Sequence, residues 1–254
     1  MRIVSYNILE GGEGRADPLA EVIEAQQPDL VALVEATDLN VIERIARRLG
    51  MDFVHAPGNT KASALLSRWT IRESINHALL HPELSKSLLE ATVVDQAGQE
   101  WTLGVVHFHA HATEKDEARR EAELRIVLDV FAPHRSAHRR HLICGDFNSN
   151  SSTQWIDPDR CKPSTRREWT ENGGSIPRRI IQAMLEQRYV DTLHALRGDF
   201  ADTHGTFSTQ FPGQRVDYIF SHGVPAERLK DAWIEYDRLA KYASDHFPIG
   251  LEIG

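Results

Sequence analysis

Short apolar runs of strand length alternate with amphipathic stretches from the first residues onward, and this alternation points to layered α/β, with sheet packed on sheet and helices outside. RIVSYNIL (2–9) reads as a strand that stops at a glycine-rich turn. DPLAEVIEAQQ (17–27) is a predicted helix, with Asp17 as N-cap, Pro18 at the first helical position and apolar residues at Leu19, Val22 and Ile23. PDLVALVEA (28–36) is strand-like and closes on Glu35, and LNVIERIARRLG (39–50) is amphipathic with Gly50 as its stop. DFVHA, SALLSR, TIRESIN and LLEATVVD are shorter strand signals, and EWTLGVVHFHA (100–110) is a longer one. EKDEARREAELRIVLDVFA (114–132) has an acidic start and apolar residues at Leu124, Val127, Leu128 and Phe131, the clearest helix signature in the chain. SIPRRIIQAMLEQR (175–188), with Ser175 as its cap, reads as a further helix; RVDYIFSHG, LKDAWIEY and FPIGLEI close the chain as strands. With no repeat, linker or low-complexity tract, the expectation is a single domain over residues 1–254.

Polar residues in these runs carry the functional signal. Asn7, Glu35, His107, Asp146, Asn148 and Asp217 lie in or at the end of apolar runs, and Asp245 and His246 directly precede the last one. Burying such groups without partners is costly, so the set is expected to converge and satisfy itself, or a metal. LICGDFNSN (142–150) taken alone would read as a turn, since Gly, Asp, Asn and Ser are turn formers. Carboxylate and amide oxygens are hard ligands that suit Mg²⁺ or Mn²⁺ better than Zn²⁺. An additional Asp and His would supply groups to activate water and to hold negative charge. That inventory fits hydrolysis of a phosphate ester.

Composition narrows the partners. A formal net charge of −8 disfavours a tight, nonspecific grip on a polyanion, which depends on many Lys and Arg contacts to phosphate. Two cysteines are too few for a disulfide framework, and Cys144 reads as a small core residue. The first residues look like a strand rather than a signal peptide, and no window approaches the ~20 apolar residues of a membrane span. A cytoplasmic monomer is expected.

The segments SYNIL, LVALVEA, VHFHA, GDFNS, RVDYIF and SDHFPI occur in that order over residues 5–251, and with them the chain resembles the endonuclease/exonuclease/phosphatase superfamily. Its members include pancreatic-type deoxyribonucleases, apurinic/apyrimidinic endonucleases, neutral sphingomyelinases, inositol polyphosphate 5-phosphatases and deadenylase catalytic domains. The resemblance implies a four-layer α/β sandwich, two mixed sheets face to face with helices outside and the active site at one end. It further implies Glu35 as the main metal ligand, Asn7 beside the metal, and Asp245 at the metal directly or through water. Asp146 would orient or deprotonate the attacking water, and Asn148 would donate to the phosphoryl oxygens. Asp217 and His246 would form a buried pair, the histidine acting as base or as stabilising cation. His107 would contact the phosphate or protonate the leaving group. Strand periodicity would set His107, His109 and His111 on one face, and likewise Asp146 and Asn148.

Two stretches depart from the common pattern. KASALLSRWTI replaces a Gly-rich segment and offers Lys61 as a phosphate contact. The polar stretch 149–175, with Trp155, Lys162, Arg166, Arg167 and Trp169, reads as a loop that could stack on a base or bind a further phosphate. HRSAHRRH (134–141) is basic but is expected at the end of the sheet opposite the site. The expected function is therefore a Mg²⁺- or Mn²⁺-dependent phosphoesterase that hydrolyses a phosphodiester or phosphomonoester by in-line attack of an activated water. Nucleic-acid, small-molecule and lipid substrates remain open. A zinc site built on HFHAHATEKDE and a non-catalytic binding module on the same scaffold are the competing readings.

Overall fold

The computed structural model describes residues 1–254. Two six-stranded sheets form its centre. The first contains β1 (Arg2–Asn7), β2 (Leu30–Val34), β3 (Asp52–Ala56), β4 (Ser63–Ser67), β11 (Leu229–Ile234) and β12 (Ile249–Ile253), in the order β11-β12-β1-β2-β4-β3. The second contains β5 (Thr70–Asn76), β6 (Leu88–Val94), β7 (Glu100–His107), β8 (His141–Asp146), β9 (Val190–Asp191) and β10 (Asp217–His222), in the order β5-β6-β7-β8-β10-β9. Both are mixed: β1 runs parallel to β2 and β7 parallel to β8, while the other strand pairs are antiparallel.

Helices cover the outer faces because their apolar stripes need a surface to bury. On the first sheet, α1 (Ala16–Ala25) and α2 (Leu39–Leu49) place Leu19, Ile23, Ile42 and Ile45 in one buried cluster. The same cluster includes Leu33, Leu65, Leu103 and Cys144 from the two sheets. On the second sheet, α3 (Glu114–Ser136) and α5 (Arg179–Glu186) pack Leu124, Val127, Phe131 and Ile180 on Val106, Ile143 and Phe220. The expected four-layer sandwich is what the chain forms.

Local chemistry explains most element ends. Asp38 caps α2 through the Asn40 N–H, and Gly50 closes it at φ 63°. Thr113 and Asp116 form a capping box at the start of α3. Two expected caps are corrected. Asp17 lies inside the first turn of α1, where it accepts from Arg44 (2.9 Å), and the helix begins at Ala16. Ser175 does not cap α5, which begins only at Arg179.

The stretch expected as a loop contains α4 (Pro163–Glu171), entered through Pro163 at its first position. Between β9 and β10 lie α6 (Thr192–Arg197) and α7 (Asp199–Thr203), and α8 (Ala240–Ala243) precedes the last strand. The basic stretch 134–141 does sit away from the C-terminal ends of β7 and β8, but it is not all solvated. Residues 134–136 complete α3, and the fully buried His141 opens β8. No helix is long and apolar enough to cross a membrane.

Candidate active site

Strand direction gathers the polar residues. In each sheet a parallel pair ends side by side: β1 and β2 deliver Asn7 and Glu35, β7 and β8 deliver His107 and Asp146. Antiparallel β10 starts where β8 ends, so Asp217 pairs in register with Asp146. Gly145 makes the approach possible. Its φ is 136°, and a Cβ there would meet the Val106 carbonyl oxygen at 2.0 Å.

Asp146, buried to 1% exposure, is the hub. Its Oδ2 accepts from Asn7 Nδ2 (3.1 Å) and lies 3.3 Å from His107 Nε2 and 3.8 Å from His246 Nε2. Its Oδ1 accepts the Asn148 backbone N–H (2.9 Å). Burial opposes its ionisation, but the His107 hydrogen bond and the His246 charge hold the carboxyl well below the usual range. His246 Nδ1 lies 2.8 Å from Asp217 Oδ2, and its Nε2 is 3.4 Å from Asn7 Nδ2. Burial disfavours the imidazolium, yet Asp217 beside it raises the pKa to about 9. Asp217 itself is pushed up by burial, against the pull of His246. The Phe207 ring stacks obliquely on the imidazole, with centroids 4.7 Å apart.

Glu35 and Asp245 stand at the rim. Glu35 follows β2 at φ 58°, accepts the Glu10 N–H (2.9 Å) and lies 3.0 Å from Lys61 Nζ, which is also 2.6 Å from Glu10. Burial would raise the Glu35 carboxyl, but the His107 and Lys61 charges and the Glu10 N–H keep it lowered. Asp245 lies 3.8 Å from Lys162 Nζ. Lys61, expected to face phosphate, is thus committed to two carboxylates.

Strand periodicity fails at two places. β8 ends at Asp146, and Asn148 reaches the site from a left-handed position (φ 46°), its amide donating to the Phe108 carbonyl (3.1 Å). β7 ends at His107, so the three histidines do not share a face. His109 turns to Asp116 (2.9 Å) and the largely exposed His111 to Glu168 (3.0 Å). The residues of an H-x-H zinc site are therefore dispersed. The acidic and histidine ligand atoms that do converge, within 4.8 Å of one another, belong to Asp146, Asp217 and His246.

Of the stretch 149–175, Lys162, Thr165 and Glu168 line a cavity of about 200 Å³ next to Asn148, Trp169 packs on the Ile156–Cys161–Ile176 cluster, and Trp155 is exposed. Sequence reasoning missed Lys86, whose Nζ lies 2.5 Å from His107 Nε2. It sits in HPELSKS, a segment without a motif, and only the strand run that follows marked its neighbourhood.

Comparison with curated proteins finds no match. Solved structures of similar fold cover the whole chain. A Neisseria 3′ phosphatase bound to a product DNA hairpin matches at a TM-score of 0.76 and 20% identity over 100% of this chain and 99% of its own. An AP endonuclease from Archaeoglobus fulgidus matches at 0.73 and 18%, over 100% and 99%. Danio rerio (D. rerio) TDP2 with a single-strand DNA product matches at 0.70 and 18%, over 100% and 98%. The Endonuclease/Exonuclease/phosphatase family profile matches residues 4–246, nearly the whole chain, and the chain belongs to that family.

Proposed function

We propose that the chain is a Mg²⁺- or Mn²⁺-dependent phosphoesterase that hydrolyses a phosphodiester or phosphomonoester by in-line attack of an activated water. The observation that carries this is the buried Asn7–Asp146–His246–Asp217 network with His107 at its edge. It leaves a strongly ionised carboxylate and an imidazolium facing the same space. Asp146, kept ionised by its neighbours, has a carboxylate that can accept from and orient the attacking water. His246, kept cationic by Asp217, donates to a phosphoryl oxygen as charge builds there. Asn7 and Asn148 each keep one amide N–H beyond those given to Asp146 and to the Phe108 carbonyl.

The rim residues fit a hard divalent cation. Glu35, Asn7 and Asp245 present oxygen donors, and the Lys61 ammonium on Glu35 marks a place where the fold already holds positive charge. A bound Mg²⁺ or Mn²⁺ would supply charge neutralisation at the phosphoryl group.

A nucleic acid is the substrate class best supported. A groove of about 530 Å³ beside Asp245 is lined by Lys162, Lys241, Phe211 and Tyr242, the last 67% exposed. Cations and open aromatic faces together suit a nucleotide strand, and two of the structural neighbours hold DNA products. The test is a panel of an abasic duplex, single strands, a cyclic dinucleotide, sphingomyelin, an inositol phosphate and bis-p-nitrophenyl phosphate, with Mg²⁺ and Mn²⁺. Turnover that disappears in Asp146→Asn is expected. No hydrolysis of any of them, or full activity in that variant, overturns the reading.

A further inference from the structure

The site contains a cation that no carboxylate answers. Lys61 is neutralised by Glu10 and Glu35, and Lys162 stands opposite Asp245. Lys86 differs: its ammonium has one hydrogen-bond partner, the ring nitrogen His107 Nε2. An ammonium has three donors and no acceptor, so this contact leaves donors for something else. Burial works against its charge, which Asp146, Glu35 and Glu123 favour through space, but each carboxylate is already committed: Asp146 to Asn7 and Asn148, Glu35 to Lys61 and the Glu10 N–H, Glu123 to two backbone N–H groups.

The imidazole stands between the lysine and the Asp146 carboxylate. His107 Nε2 faces both Lys86 Nζ (2.5 Å) and Asp146 Oδ2 (3.3 Å), while its Nδ1 is buried and has no partner. Burial and the Lys86 charge lower the pKa of the ring, against the pull of Asp146 and Glu35.

The backbone around Lys86 is pinned on every side. Ser85 N–H donates to Glu123 Oε1 (2.9 Å), and the Ser85 carbonyl accepts from Thr60 Oγ1 (2.8 Å). The Lys86 carbonyl accepts from Asn59 N–H and the Ser87 carbonyl from His107 N–H, both at 3.3 Å. Ser87 Oγ meets Ser63 Oγ at 2.5 Å. These contacts fix the root of the Lys86 side chain, which reduces the reorganisation needed when an anion arrives, a condition for strong electrostatic stabilisation.

We propose that Lys86 is a catalytic residue of this site, its ammonium gripping a non-bridging oxygen of the scissile phosphate. The proposal rests on the phosphoesterase reading above and adds to it the group that holds the phosphate opposite His246. The test uses the full chain, with Lys86→Met, Lys86→Gln and Lys86→Arg beside Lys115→Met, an equal charge loss on the exposed face of α3. Thermal melts confirm folding, and Lys86→Gln stands in should Lys86→Met not fold. Inorganic phosphate is titrated by calorimetry without added divalent metal, and bis-p-nitrophenyl phosphate turnover is followed with Mn²⁺.

Phosphate affinity is expected to fall about ten- to a hundredfold in Lys86→Met, to recover in part in Lys86→Arg and to stay unchanged in Lys115→Met. Turnover efficiency is expected to fall about a hundred- to a thousandfold. Phosphate affinity within about twofold of wild type in folded Lys86→Met and Lys86→Gln overturns the proposal, as does an equal loss in Lys115→Met. Lys86-dependent phosphate binding in a protein that hydrolyses no phosphoester keeps the Lys86–phosphate contact but removes the enzyme reading and the catalytic role with it. Hydrolysis undiminished in Lys86→Met removes Lys86 alone.

Discussion

At the scale of the residue, His246 is set by its neighbours rather than by its own chemistry. Asp217 raises its pKa to about 9, above the ordinary value of about 6.5. The sign follows from linkage: stability gained from the protonated ring is fully present below about pH 6.5 and is lost as pH rises through about 9. Melting temperatures of metal-free protein are thus expected to fall between about pH 7 and 10 in wild type and to vary much less in His246→Gln. Equal slopes in the two proteins would contradict the ion pair. Asp146→Asn is expected to keep the fold and lose turnover by about a thousandfold, read as kcat beside an unchanged circular dichroism spectrum. These residues were legible because each interrupts or ends an apolar run, where an unpartnered polar group would be costly. Lys86 was not, because a lone lysine between two serines has the same local appearance on a solvated loop as in a pinned one. What distinguishes it is a set of contacts from Asn59, Thr60, Ser63, His107 and Glu123, all distant in sequence.

At the scale of the element, α3 decides how β7 ends. Its buried Arg120 donates to the His109 and His111 carbonyls, and the fully buried Glu123 accepts from His109 N–H (2.8 Å) and Ser85 N–H (2.9 Å). These contacts peel the chain off the sheet after His107, which is why alternation placed His109 and His111 wrongly. A periodicity reading sees the apolar positions of α3 and treats its charges as solvated, and here three of them, Glu117, Arg120 and Glu123, are buried. Glu123→Ala would leave two buried N–H groups unpaired, so we expect a loss of about 2–4 kcal/mol in chemical denaturation. Turnover should drop with it, since both the Lys86 and His107 segments hang from that carboxylate. Gly145→Ala makes a complementary case. The added carbon meets a backbone oxygen rather than a side chain, so neither neighbour yields cheaply, and a stability loss with displacement of Asp146 is expected. Strand cores were legible because five- to eight-residue apolar runs have few alternatives; α4 was not, because its polar sequence Pro163–Glu171 buries only Thr165 and shows no apolar stripe.

At the scale of the whole molecule, two sheets with their parallel pairs ending together create one polar edge on an acidic body. The net charge of −8 means that distant phosphates of a polyanion meet repulsion, while the edge itself offers a few cations. Lys86 lies inside the site, and Lys162 and Lys241 line the adjoining groove with Phe211 and Tyr242. Binding to an oligonucleotide should then depend on those three charges and on stacking rather than on a long electrostatic footprint. Three phosphate contacts on a single strand correspond to a slope of about −2 in the logarithm of affinity against the logarithm of salt. Tyr242→Ala should weaken binding by about 1–3 kcal/mol per stacked base and leave that slope unchanged, whereas Lys241→Met should flatten it by about one contact. Fluorescence anisotropy of a labelled oligonucleotide over a range of salt concentrations measures both. A slope several times steeper would mean that the strand tracks far beyond the groove, and insensitivity to Tyr242→Ala would place the bases elsewhere. If the substrate is a nucleic acid as proposed, the acidic body would exclude the rest of the polyanion and confine recognition to the nucleotides next to the scissile bond.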